Sequence, residues 1–263
     1  MWSDRASVEQ SRSLVAQLRE IEPSGPIEGV AWLANGPDGE TFFSPSVSIT
    51  YSQGSALVRT ASRSIAVQDR AFDLLEAMLE AWQGCGDYLV GQLSYDLAAE
   101  LEELGDAPPP DFPSMFFFRG SPVSAATPKN EGFRADVMAP KPDDFQHSVR
   151  RIVDAIHRGD IFQTNLCRTM EASVDSQSAW SAFQRMREVN PATHAAFLQL
   201  DEQRAILSMS PESYLMVRDG VVESRPIKGT RPRGADAEEL LKSEKDLAEL
   251  AMIVDVEIGR AHV

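Results

Sequence analysis

Apolar and polar positions change their rhythm partway along the chain. Residues 1 to about 120 carry short apolar runs broken by turn signals, such as "NGPDGE" at 35–40 between two strand-like stretches and "GCGDYLVGQLSYDL" at 84–97. That half reads as mostly sheet, with helices near 8–20 and 68–82. Past two proline-rich passages, at 107–113 and 121–142, the period becomes helical. In "DDFQHSVRRIVDAIHRGD" the residues Phe145, Val149, Ile152, Val153 and Ile156 recur at i, i+4, i+7, i+8 and i+11, with Asp143 and Asp144 in the first turn and Gly159 as the stop. A strand over 161–170 ("IFQTNLCRTM"), a helix in "AWSAFQRMREVN" and strands in "AAFLQL" and "AILSMS" are expected next.

The segment "SYLMVRDGVVESRPIKG" carries an Asp-Gly pair at 219–220 between β-formers, the signal of a two-residue hairpin turn. That register sets Val217 opposite Val222 and Leu215 opposite Ser224, and it brings Pro211-Glu212 beside Ile227-Lys228. Strictly counted, Glu212 and Lys228 are one residue out of step and point to opposite faces, unless a bend at Pro211 and Pro226 realigns them. Downstream, "ADAEELLKSEKDLAELAMIVDV" predicts one helix with Leu240, Leu247, Ala251 and Val254 in a stripe and Leu241, Ala248 and Met252 beside it. Glu249 is the single polar residue between Leu247 and Val254, so its carboxylate is expected to be paired, protonated or metal-bound.

Composition narrows the function. With 263 residues, 43% hydrophobic, the chain is long enough for a sizeable core. A formal charge of −15 argues against nucleic-acid or anionic-membrane partners unless a local patch reverses the sign. Arg225, Lys228, Arg231 and Arg233 are such a patch. Cys85 and Cys167 have no metal-ligand or disulfide spacing, no apolar run reaches spanning length, and the N-terminus has no leader pattern; a cytoplasmic setting is expected.

The motifs "GDIFQTNLCR" (159–168), "SMSPES" (208–213), "SRPIKGTRPRG" (224–234) and "SEKDLAELAMIVDV" (243–256) together resemble the chorismate-utilising enzymes: anthranilate synthase component I, aminodeoxychorismate synthase component I, and the isochorismate and salicylate synthases. The resemblance implies an α+β fold of the component I type, with packed β-sheets and helices outside. It divides the chain into an N-terminal lobe at 1–120, a linker at 121–142 and the first part of the chorismate-binding region at 143–256.

It also implies site roles. Lysine at 228, where anthranilate-forming relatives usually carry alanine, resembles the aminodeoxychorismate synthase branch, in which the amine attacks ring carbon 2. Glu212 resembles the general acid, Glu249 a Mg²⁺ ligand, and Gln163, Asn165, Gly229 and Thr230 substrate-binding positions. A neutral amide at Gln163, where hydroxylating relatives place a lysine base, disfavours hydroxylation. The implied partners are chorismate and a glutamine amidotransferase supplying ammonia, for p-aminobenzoate and folate synthesis. Anthranilate synthase component I and a non-catalytic binding protein of the same fold are the alternatives.

An ordinary lysine, with a pKa near 10.4, costs roughly 4–5 kcal/mol to hold neutral at pH 7, and neighbouring arginines lower that cost. Taken alone, Lys228 reads as a solvated strand end, Glu212 as a turn carboxylate and Glu249 as a partner of Lys245 at i−4. His147, His157, His194 and Cys167 receive no catalytic role. After Val256 the family pattern stops: "EIGRAHV" at 257–263 matches a translated sequencing adapter, so a non-native tail on a fold incomplete at its C-terminus, and an inactive fragment, are expected.

Overall fold

The computed structural model describes residues 13–21, 27, 29–36, 39–102, 112–124, 135–138, 142–161, 163–174, 179–232, 234–236 and 238–259. It divides into two compact units, 1–126 with 189–263, and 127–188.

The first unit is built on an eight-stranded antiparallel sheet. Its strands are β1 (Val30–Gly36), β2 (Gly39–Ser52), β3 (Ser55–Arg59), β4 (Ser64–Gln68), β5 (Tyr88–Leu93), β6 (Met115–Val123), β9 (His194–Gln199) and β10 (Ala205–Ser210). The order runs β10-β9-β1-β2-β3-β4, with β6 on the other side of β2 and β5 beyond β6. Helix α1 (13–19), with residues 1–12 outside the described set, and helix α2 (Ala71–Trp82) occupy the two helical regions expected in this half.

One irregularity organises the core. β2 and β6 slip register between Pro45 and Val47, so that Pro45 faces Gly120 while Val47 faces Arg119. A one-residue slip exchanges the faces of a strand. Val47, Ile49 and Tyr51 therefore share a face with Met115 and Phe117, and this face is packed by Leu14, Val15 and Leu18 of α1 and Leu74 and Met78 of α2. Phe43, before the slip, joins Phe116, Phe118, Val90, Ala31 and Leu198 in a second cluster on the opposite face. The alternation of β2 looks uninterrupted in sequence, yet it serves two cores.

Polar contacts fix the edges of this scaffold. Tyr51 donates its hydroxyl proton to Glu100, whose other carboxylate oxygen accepts from the Ala71 N–H (2.9 Å) at the start of α2. Burial first, and the Glu100 carboxylate second, push the Tyr51 phenol up to about 12. Between β9 and β10, Asp201 accepts from the Arg204 backbone N–H (2.8 Å) and from its guanidinium (2.7 Å), which closes the turn that aligns β10. This ion pair holds the Asp201 carboxyl below its usual range.

The second unit contains β7 (Ala135–Met138) paired with β8 (Glu171–Val174), α3 (Pro142–Arg158) and α4 (Ala179–Val189). The α3 stripe expected from sequence is present and stays partly exposed at Val149, Val153 and Ile156. The strand expected over 161–170 does not form among the described residues there: 163–170 are exposed and unpaired into any ladder, and the strand begins only at Glu171. A strand exists by its partner, and none of the described strands lies along this stretch.

Returning to the first unit, the hairpin β11 (Met216–Arg218) and β12 (Val221–Glu223) has the expected register, Val217 to Val222. Asp219 (φ 52°) and Gly220 (φ 76°) are both left-handed, as its two-residue turn requires. The single helix expected over 235–256 is instead two, α5 (Glu238–Leu241) and α6 (Glu244–Glu257). Ser243 breaks it: its hydroxyl accepts from the Asp246 N–H (3.3 Å), so it caps the second helix and ends the first. The mixed antiparallel α+β architecture is as expected. Helices α1 and α2 pack against one face of the large sheet, and the other described sheets have two strands each. No described helix is long and apolar enough to cross a membrane.

Candidate functional site

β10 ends at Ser210, and the residues after it form a tight turn. The Ser210 hydroxyl donates to the Glu212 carbonyl (2.8 Å) and accepts from the Glu212 N–H (3.4 Å), so the serine holds the backbone that presents the carboxylate. The chain then runs out along β11 and back along β12. The ladder stops at Met216–Glu223, and beyond it the Ser224 hydroxyl donates to the Tyr214 carbonyl (2.8 Å). At the open end, Glu212 Oε1 accepts from the Ile227 N–H (2.9 Å). Glu212 thus grips the backbone beside Lys228, while the Lys228 side chain extends toward Glu249 of α6.

On α6, Asp246 and Glu249 lie three residues apart and so share one face. Lys228 Nζ lies 3.6 Å from Glu249 Oε1, with the lysine side chain 29% exposed and the glutamate 40%. Lys228, and not Lys245, is thus the partner of the carboxylate isolated in the apolar run. One turn earlier, Arg231 Nη2 donates to Asp246 Oδ2 (2.9 Å), and Arg231 Nε lies 3.9 Å from Glu239. The Ser243 hydrogen bond, then the Arg231 guanidinium, holds the Asp246 carboxyl below its usual range.

Between these two contacts sits Gly229. Its φ is +80°, and a Cβ there would lie 2.7 Å from Leu240 Cδ2 and 3.0 Å from Asp246 Oδ2. The conformation favours glycine, and a larger residue would push the ends of the Leu240 and Asp246 side chains aside. Thr230 is exposed, and its carbonyl accepts from Arg231 Nη1 (3.0 Å).

The described arginines of the loop are each paired with a carboxylate. Arg225 pairs with Glu223, Arg231 with Asp246, and Arg233 lies outside the described residues. Each described cation of the loop faces a carboxylate. A cavity of about 190 Å³ opens beside Glu212, lined also by Met216, Glu223, Arg225, Ile227 and His194. The β9–β10 register sets His194 opposite Ser210, at the strand end that leads into the Glu212 turn.

Gln163 and Asn165 belong to the other compact unit, where both are exposed. The structure brings together Lys228, Gly229, Glu249 and the Glu212 turn. For the expected Mg²⁺, Glu249 offers one carboxylate that already faces an ammonium, and no group of three or more His, Cys, Asp or Glu suited to a metal occurs among the described residues. Magnesium requires near-octahedral oxygen coordination. The described residues alone do not fit the ion.

Comparison with known proteins places these motifs. The model of a family described as chorismate binding enzyme matches residues 121–259. Aminodeoxychorismate synthase component 1 of Klebsiella aerogenes is 37% identical over 150 residues, 53% of this chain and 32% of that protein. The protein of the same name from Escherichia coli (strain K12) is 39% identical over 131 residues, 46% and 28% of the two chains. Anthranilate synthase component 1 of Thermus thermophilus is 35% identical over 167 residues, 58% and 36% of the two chains. The matched stretches span about a third of the length of these relatives.

Proposed function

The chain belongs to the chorismate-binding enzymes, and from that premise we propose that it serves as component 1 of an aminodeoxychorismate synthase. The reaction would convert chorismate and ammonia to 4-amino-4-deoxychorismate, with ammonia delivered by a glutamine amidotransferase partner. The observation that carries this reading is Lys228 itself: an amine on a glycine-hinged loop, beside a backbone held by Glu212.

The proposed chemistry balances in two displacements. The Lys228 amine leaves Glu249, gives up a proton and attacks ring carbon 2; the 4-hydroxyl departs as water with a proton from Glu212. Ammonia then adds at carbon 4 and expels the lysine amine from carbon 2. Nitrogen ends on carbon 4 and Lys228 is regenerated.

Anthranilate synthase is the second reading, favoured by the 35% identity to the Thermus thermophilus protein. Product analysis of the natural protein, given chorismate, ammonium and Mg²⁺, separates the two. We expect 4-amino-4-deoxychorismate, and Lys228→Ala to abolish it or divert product to anthranilate. Anthranilate from the unaltered protein would overturn the proposal.

A further inference from the structure

We propose that Asp246 is a positioning residue for Lys228: through Arg231, and by closing on Gly229, it sets where the loop amine sits against α6. The inference bears on chemistry only if Lys228 is the nucleophile, as proposed above, but its geometric content stands apart from that reading.

Four observations converge on Asp246. Its carboxylate accepts from Arg231 at 2.9 Å, three residues beyond Lys228. Its side chain is 14% exposed, unlike the open pairs Lys242–Glu238 and Arg225–Glu223, so water competes less for this contact. Its backbone N–H is held by Ser243, which fixes the first turn of α6. Gly229 packs against it closely enough that a Cβ there would lie 3.0 Å from Asp246 Oδ2 and press on the carboxylate.

Asp246 therefore touches the loop on the far side of Gly229 from Lys228, and Glu249 receives the lysine one helical turn further on. Two charge contacts a turn apart define a register between loop and helix, which one contact alone would leave free to pivot. Asp246 reaches Lys228 only through the chain between them and has no role toward the reacting atoms.

The test is pulse acetylation of the 263-residue chain at one fixed pH, read by peptide mass spectrometry as the rate at Lys228 relative to Lys242 and Lys245. Asp246→Asn and Arg231→Ala are each expected to raise the Lys228 ratio about threefold, an effect matching one weakened, partly exposed ion pair. The double variant should show no more than either single change, and Arg231→Lys should restore most of the original ratio.

An unchanged Lys228 ratio in both single variants would overturn the proposal. So would multiplicative effects in the double variant, or a parallel rise at Lys242 and Lys245, which would mark general loosening of the helix. Failure of the amination reaction in a product assay would leave this result standing.

Discussion

The sheet face beneath α2 and the loop that carries Lys228 are held in place by different forces. Under α2, Ile49, Leu74, Met78 and Met115 are fully buried. Each such side chain contributes roughly 1.5–3 kcal/mol by leaving water. On α6 no residue is buried, and Leu247, Val254 and Val256 remain well exposed. There the loop is located by two ion pairs, one carboxylate-to-backbone hydrogen bond and one close glycine contact. Burial makes a scaffold that single polar changes hardly move. Charge contacts make a site that a single residue can re-aim.

The sharpest way to break that contrast is Phe118→Ala, which empties the centre of the second cluster. It should cost about 3–5 kcal/mol of stability in urea unfolding, while the Lys228 acetylation ratio under native conditions stays unchanged. A loss below about 1 kcal/mol would mean that this face is not packed as described.

Next in size is the buried phenol. Because the Tyr51 pKa in the folded chain, about 12, lies above its ordinary 10.0, its contribution is complete below pH 10 and is lost as pH rises toward 12. Unfolding followed from pH 9 to 12 should show a decline on the order of 2–3 kcal/mol that Tyr51→Phe removes. An identical alkaline slope in the variant would contradict the Tyr51–Glu100 contact.

The smallest expected effect falls on the other side of the comparison. Glu249→Gln should change stability by less than about 1 kcal/mol, as for an exposed ion pair, yet raise the Lys228 acetylation ratio. A change in stability as large as that of Phe118→Ala would place α6 in the core after all.

The sequence disclosed those elements whose pattern is local. The α3 stripe, the two strands leading to Ser210 and the Asp-Gly hairpin all follow from spacing within one segment. What escaped depends on distant partners or on competition between signals. The apolar stripe from Leu240 to Val254 continues straight through Ser243, so periodicity hid a break that the serine cap imposes. The slip at Pro45–Val47 is silent in β2 because it is defined by β6. Residues 161–170 have strand composition without a described ladder partner.

At the candidate site, motif chemistry singled out Lys228, Glu212 and Glu249, but their partners were not legible. Local spacing offered Lys245 for Glu249, whereas the fold supplies Lys228. The arginines read as one basic cluster, whereas Arg225 and Arg231 are each taken up by a different carboxylate. Asp246 has no signal of its own and His194 receives no role from the sequence, because their surroundings arise only when loop, helix and strand meet.

The claim that Lys228 forms a bond to the substrate ring meets its most direct test in peptide mass spectrometry of the natural protein, incubated with chorismate and Mg²⁺ but without ammonia. The account predicts that the peptide containing Lys228 gains the mass of chorismate less one water, and that added ammonia discharges it. Formation of 4-amino-4-deoxychorismate at an undiminished rate by Lys228→Ala, with no such adduct in the unaltered protein, would contradict it.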